Sequence, residues 1–355
     1  MAKYAKKLAR KARSPARNQH YVPRVLLRNF ATAGRGKSRQ VHVFDKSDGR
    51  RFQTSIENVF AARDFNTLTL GDDVVCLEDA MGQIEGAVAG VLKKVLDERS
   101  LAGLRPNEIE ALDSFTALQK VRNVSVRADI THLGELMREL VRNEGTDPKT
   151  VPQLGEQDGP ELAKAVALQL TDNLDEFARS LAGKQRLLME SHGNDVFVLG
   201  DSGSVWTNAR DTGPYGNLGL EVLGIQIYLP LSPDLLLAYF CPSIIDNLRS
   251  EHDAQLKAAK VAQILSVLGT GEMGASAYHE RDALVQAAQR SGDFLTRFDA
   301  GLPIACEAKD VDAHNMLQIQ QSERFVVSNR SDFTLAERMI TEDPRFRIGL
   351  RSTIN

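Results

Sequence analysis

His20 stands between a run of basic residues and the aromatic Tyr21. An imidazole so placed can act as a general base, and the competing use is a hydrogen-bonded structural histidine. Cys306-Glu307-Ala308-Lys309 offers a second kind of chemistry. A Glu-x-Lys pair with an upstream acid, here Asp293 or Asp299, is how restriction-type nucleases hold Mg²⁺ and orient the attacking water. An exposed salt-bridged turn accounts for the same residues. Gly269-Thr270-Gly271-Glu272-Met273-Gly274 has the spacing of a dinucleotide-binding turn. That turn needs a strand before it, whereas Ala259, Ala262, Ile264, Leu265 and Leu268 are spaced as a helix, so the glycines read as a helix end and loop. Gly200-Asp201-Ser202-Gly203-Ser204 looks like the nucleophile segment of chymotrypsin-type proteases, but a helix-rich chain without disulfides makes it a tight turn. The seven histidines form no metal-ligand cluster with the cysteines, and HExxH, CxxC and P-loop segments are lacking. No cofactor is identified, and Mg²⁺ is expected only if the protein is a nuclease.

Charge is distributed unevenly. The first 39 residues hold twelve Lys and Arg and no acid, the first acid being Asp45. Taken from totals of 44 basic and 47 acidic residues, this leaves 32 bases against 47 acids in the remaining 316 residues. A basic leader on an acidic body suggests a polyanionic partner. Lys3, Lys6, Lys7, Arg10 and Lys11 follow helical spacing with Ala5, Leu8, Ala9 and Ala12 between them. The alanine-rich seam is too thin to hold a membrane, while phosphates could order the segment and release counterions. A solvated tail or an organelle transit peptide would also be basic, although Ser is sparse here for the latter. Cys76, Cys241 and Cys306 are odd in number and far apart, which fits a reducing compartment better than a disulfide framework. No apolar run approaches the ~20 residues of a membrane helix, and the N-terminus lacks a signal-peptide core. A cytoplasmic protein is expected.

The elements that would position these residues follow from periodicity. Pro23 opens a short helix through Phe30, and Gln40–Phe44 with Arg51–Gln53 reads as a hairpin around Ser47-Asp48-Gly49. Thr54 and Glu57 have capping-box spacing for a short helix through Val59. Asp64–Leu70 is β-rich. Leu77 to Leu92 is helical, and Asn107 with Glu110 caps a second long helix, continuing with a break through Leu140. Glu161–Met189 reads as a third helical stretch. Short strands follow at Asp195–Leu199, Ser204–Thr207, Glu221–Leu229 and Leu235–Phe240. Helices are expected at 244–268, 281–297 and 310–323, then a strand at Arg324–Ser328 and a helix near Leu335–Ile340. The whole is an α+β fold, with antiparallel strands from the N-terminal and C-terminal halves around a mostly helical middle. The expected division is a flexible basic arm over residues 1–17 and one α+β domain over 18–355, with its helical block at about 77–192.

Four segments carry a family resemblance. Gln19-His20-Tyr21-Val22-Pro23-Arg24 with Leu27-Arg28-Asn29-Phe30 resembles the opening of the bacterial domain-of-unknown-function family 4238. Asn58-Val59 and Arg63-Asp64-Phe65 are similar to its next block, Tyr228-Leu229-Pro230-Leu231-Ser232-Pro233 to its PLSP turn, and Asn315 with Arg324-Phe325-Val326-Val327-Ser328 to its C-terminal block. The resemblance implies an α+β fold and a prokaryotic cytoplasmic setting, with no established reaction. Where members commonly have Thr-Ser-Asp-Asn-Pro, this chain has Val205-Trp206-Thr207-Asn208-Ala209-Arg210-Asp211, so Asp211 is the carboxylate left to substitute.

The polar residues of these blocks define a candidate site. His20 would be the base or phosphate donor, and Arg24, Arg28 and Arg63 anion clamps. Asp64, Glu78 or Asp211 would supply the carboxylate. Arg122 and Arg127 lie on a long helix, where arginines either pair or bind an anion. The leading expectation is a nucleic-acid-binding protein with a nuclease-like or defence-related role, any reaction being phosphodiester hydrolysis. The alternative is a non-enzymatic interaction module whose arm docks on an acidic surface, the same arginines forming a buried network. Assembly state is not legible.

Overall fold

The computed structural model describes residues 18–33, 39–70, 73–151, 154, 163, 166, 170–210, 218–268 and 275–352. Its first strand, β1 (Asn18–His20), pairs antiparallel with β5 (Ala61–Arg63). Between them lie α1 (Arg24–Phe30), β2 (Thr32–Ala33), β3 (Arg39–Asp45) and β4 (Arg51–Ser55). Pro23, with its fixed φ, precedes the first turn of α1, and Leu26, Leu27 and Phe30 are its buried face. β6 (Thr67–Leu70) and β7 (Asp73–Cys76) form a separate hairpin. The helices α2 (Glu78–Glu98), α3 (Pro106–Val121), α4 (Val124–Asn143) and α5 (Leu174–Ala182) come next.

After α5 the chain builds β8 (Gln185–Glu190), β9 (Leu199–Gly200), β10 (Val205–Thr207), β11 (Gln226–Ser232) and β12 (Leu235–Phe240). It finishes with α6 (Pro242–Leu268), α7 (Ala275–Asp299), β13 (Ile304–Ala305), α8 (Ala308–Gln321), β14 (Phe325–Ser328) and α9 (Thr334–Glu342). Two five-stranded sheets result. One has the order β2-β3-β14-β9 with β4 also on β3, so the C-terminal strand sits between the N-terminal hairpin and the middle of the chain. The other has the order β10-β11-β12-β8-β13, in which only β13 runs parallel to its neighbour. The α+β architecture with strands from both halves is therefore present.

The second sheet divides the core. β12 reads Leu-Leu-Leu-Ala-Tyr-Phe and is buried throughout, as expected when both faces are covered. Its alternate residues Leu235, Leu237 and Tyr239 join the main core with α1, α2 and α3. Leu236, Ala238 and Phe240 point the other way, into a second cluster with Ile245 of α6 and Leu295 of α7. A third cluster joins Phe44 and Val326 of the first sheet to Ala336, Met339 and Ile340 of α9.

Several local expectations need correction. Thr54 and Glu57 cap no helix: β4 runs through Ser55, and the Glu57 N–H donates to Ser55 Oγ at 3.3 Å. The second long helix starts at Pro106, and Glu108, not Glu110, reaches back to the Arg105 N–H at 2.7 Å. Pro at the first helical position moved the boundary upstream of Asn107. The expected break falls at Asn123, whose Oδ1 accepts from the Ser125 and Val126 amides at 2.8 and 3.2 Å. Glu161–Met189 does not continue as a helix, because residues 185–190 form β8, and the helical block ends at α5 among the described residues. The Arg186 to Met189 stretch is apolar enough for either state, and pairing with β12 decides it. Residues 195–198 are irregular, leaving only Leu199–Gly200 as strand. Among the described residues no helix is long and apolar enough to cross a membrane, and Cys76, Cys241 and Cys306 are free thiols.

Candidate functional site

The N-terminal segment is locked down by buried arginines. His20 lies in β1, and its Nε2 meets the Ile56 carbonyl at 3.1 Å. Burial pushes the imidazole below its ordinary pKa. The His20 carbonyl accepts from Arg122 Nη2 at 2.6 Å, and Arg122 Nη1 pairs with Glu85 at 2.6 Å. Arg122 is only 2% exposed. Gln19 is buried beside it: its Oε1 accepts from the Asn66 amide at 2.5 Å, and its Nε2 donates to Thr67 Oγ1 at 2.9 Å. Asn66 in turn donates to Glu78 Oε1 at 2.6 Å and accepts from Arg127 Nη2 at 3.0 Å. Arg127 also donates to the Phe65 carbonyl and stacks 3.8 Å over the Phe65 ring. Burial lowers its guanidinium to about 10. These contacts bind β1 and the Asn66 turn to the α3–α4 junction.

The expected catalytic set does not assemble around that network. Glu78 is engaged by Asn66, and Asp64, in the left-handed region at φ 51°, faces Arg63 at 3.4 Å on the outside. Asp211 and the arm residues Lys3, Lys6, Lys7, Arg10 and Lys11 lie outside the described residues, as does the Gly269–Gly274 segment. Arg122 is buried and paired with Glu85, and Arg127 is buried on Asn66 and Phe65, so neither stands as an open anion clamp. Arg24, Arg28 and Arg63 are exposed, and Arg24 pairs with the equally exposed Glu57 at 2.7 Å.

Other sequence candidates resolve into structural contacts. Lys309 pairs with Glu307 at 2.8 Å on the surface, Asp299 is held by Arg249, and Asp293 is exposed. No three His, Cys, Asp or Glu among the described residues could share a metal ion. In the Gly200–Ser204 turn, the buried Asp201 carboxylate accepts the amides of Glu323, Arg324 and Phe325 at 2.6, 2.7 and 2.8 Å. Burial pushes Asp201 up to about 6, opposed by those amides and by Lys46. Asn315 clamps the irregular stretch before β9, accepting from the Val198 amide at 2.9 Å and donating to the Val196 carbonyl at 2.8 Å.

A polar cleft that residue spacing did not reveal lies at the β11–β12 turn. It encloses about 630 Å³ and is entered past Asn29 of α1, Ser232 and Pro233 of the turn, and Asn329 and Arg330 after β14. Two of the segments that carry the family resemblance meet here, beside the residues that directly follow a third. Asn29 donates to the Leu231 carbonyl at 2.9 Å, fixing α1 to the strand. On the opposite wall Arg99, at the C-terminus of α2 with φ 49°, spans Asp234 at 2.7 Å and Glu190 at 3.1 Å. A non-glycine residue there is strained, and the two ion pairs hold it. Glu190, 13% exposed, also meets Arg297 at 3.2 Å and His192 at 3.8 Å. Burial disfavours the charge on Asp234, yet the Ser232 hydroxyl and Arg99 keep its carboxyl below its ordinary value. Arg330, Asp195 and Val196 also line an adjoining cavity of about 610 Å³ beside α8 and α9. The cleft thus offers paired charges of both signs and an exposed imidazole to a polar ligand. In the sequence, Glu190-Ser191-His192 at a strand end was the available signal.

Fold and site together define an α+β protein in which buried arginines tie β1 and the Asn66 turn to the α3–α4 junction of a two-sheet body. Residues 18–332 match the family described as Protein of unknown function (DUF4238). The chain belongs to this family. Comparisons with curated proteins and with solved structures give no match.

Proposed function

We propose that the chain is a cytoplasmic bacterial protein that binds nucleic acid through its basic N-terminal segment and the arginine face at that segment's root. The observation that carries this reading is the segregation of charge, with twelve bases and no acid in residues 1–39 against 32 bases and 47 acids beyond. The root of the arm adds to it. Asn18 pairs with Arg63 across β1 and β5, and Arg24 and Arg28 stand four residues apart on one face of α1. The acids beside Arg24 and Arg63 are themselves half exposed, and such surface pairs exchange for phosphate at little cost. Binding is favoured over cleavage at His20 because its Nε2 already faces the Ile56 carbonyl and Glu78 is engaged by Asn66.

The test is a gel shift with DNA and RNA, with and without Mg²⁺ or Mn²⁺, comparing the full chain with one lacking residues 2–17. That deletion removes seven Lys and Arg. The expected result is a complex that weakens steeply with salt, at least about a tenfold loss of affinity on deletion, and intact nucleic acid. Equal binding by both proteins would remove the reading, and metal-dependent cleavage would replace it with a nuclease.

A further inference from the structure

Helices α6 and α7 run antiparallel, with Arg249 meeting Asp299 and His252 meeting Ser291. Facing helices ordinarily fill the space between them with apolar side chains. Here they stand over a cavity of about 650 Å³ at the ends of β10, β11 and β12. Ile244, Leu248, Glu251 and Gln255 line it from one face of α6, and Ala287, Ser291 and Phe294 from one face of α7.

The lining mixes apolar, neutral polar and charged residues. Phe240, Ile245, Leu248 and Phe294 supply apolar lining, and Gln226, Gln255 and Ser291 supply neutral polar lining. The charged wall residues are Arg210, Arg290 and Glu251, a surplus of one positive charge on a body whose acids outnumber its bases. Ser291, 8% exposed, bridges His252 Nδ1 and Gln255 Oε1 at 2.8 Å each, which fixes the spacing of the two helices. Gly224, at φ 88°, lets the 208–210 wall press close: a Cβ there would stand 2.9 Å from Asn208 Oδ1 and 3.1 Å from Arg210 Cδ.

We propose that this cavity binds an amphipathic organic anion, its aryl or acyl body seated on Phe240 and Phe294 and its carboxylate or phosphate held by Arg290 and Arg210. The volume is that of a small-molecule site, commonly about 300–1,000 Å³, and such sites combine an apolar floor with a few convergent polar groups. Gln226 and Gln255 are held in place by Tyr228 and Ser291, and the lining also carries two arginines, Arg210 and Arg290, beside its aromatic residues. The site is separate from the nucleic-acid reading and stands or falls without it.

The full-length protein is titrated with fluorescent anilinonaphthalene sulfonate, an aryl anion, and with phenylnaphthylamine, the same aryl body without the charge. One anion should bind per chain. Arg290→Gln should weaken the anion by about tenfold, and Arg290→Glu by more, with the neutral analogue unchanged. Ala287→Trp, which fills the cavity, should abolish both. Decanoate or phenyl phosphate should displace the probe, and whichever competes better identifies the head group. Arg290 is exposed, so its variants keep the fold. Equal weakening of both probes by Arg290→Glu, binding unaffected by Ala287→Trp, or displacement by neither competitor would overturn the proposal.

Discussion

Arg122 and Arg127 at the α3–α4 junction are buried, and their Nη groups donate to Glu85, Asn66 and backbone carbonyls. Arg24 and Arg28, on the helix that follows β1, and Arg63, on the strand paired with it, are exposed, and Arg24 and Arg63 meet only exposed acids. Only the first set contains a residue whose side chain bonds to β1, Arg122 to the His20 carbonyl. An arginine's use in this protein is therefore decided by its burial and by the partner it already has, and not by its nearness to a motif. The inner set defines where β1 sits, and the outer set remains available to an anion.

The sharpest way to break that comparison is Arg122→Ala. It leaves Glu85 without its cation and the His20 carbonyl without its donor, and should cost about 3–5 kcal/mol in urea denaturation. Two imidazoles in different parts of the body should also respond to acid, His20 of β1 and His314 of α8, which packs against Phe197 and Tyr228. Burial lowers His314 to about 4, and His20 shifts in the same direction. Below the ordinary imidazole value the unfolded chain binds protons that the folded chain excludes, so stability from these groups is present at neutral pH and lost as pH falls. For His314 the loss should be on the order of 3 kcal/mol by about pH 4, and His314→Phe should flatten that part of the denaturation series. The smallest effect on stability belongs to the outer set. Replacing Arg24, Arg28 and Arg63 together by Gln should change stability by less than about 1 kcal/mol. It should nonetheless lower the slope of log affinity for nucleic acid against log salt by up to about 3. A triple variant that unfolds readily, or that leaves the slope unaltered, would erase the distinction between the two sets.

Much of the fold was legible because periodicity records burial. The alternation in Gln40–Phe44 marked β3, and the apolar run at Leu235–Phe240 marked a strand covered on both faces. Gln185–Glu190 is ambiguous because its residues suit helix or strand, and the pairing with β12 that decides the matter is 45 to 55 residues away in the sequence. The site was less legible. Arg122 and Arg127 were visible as unusual helix residues, but their partners Glu85, Asn66 and Phe65 come from other elements. The Arg99–Glu190–Asp234 cluster joins a helix end, a strand end and a hairpin turn, with no spacing rule linking them. The α6–α7 cavity depends on which polar residues face inward, and helical periodicity alone reports only that both faces are mixed.

The place of β14 carries a consequence for biosynthesis. It fills the gap between β3 and β9, and its neighbour Arg324 reaches an aspartate 279 residues earlier in the chain. At about 5–20 residues per second, the β3 edge waits tens of seconds on the ribosome before its permanent neighbour emerges. An unpaired edge held open that long stays exposed to pairing with a wrong strand until β14 arrives.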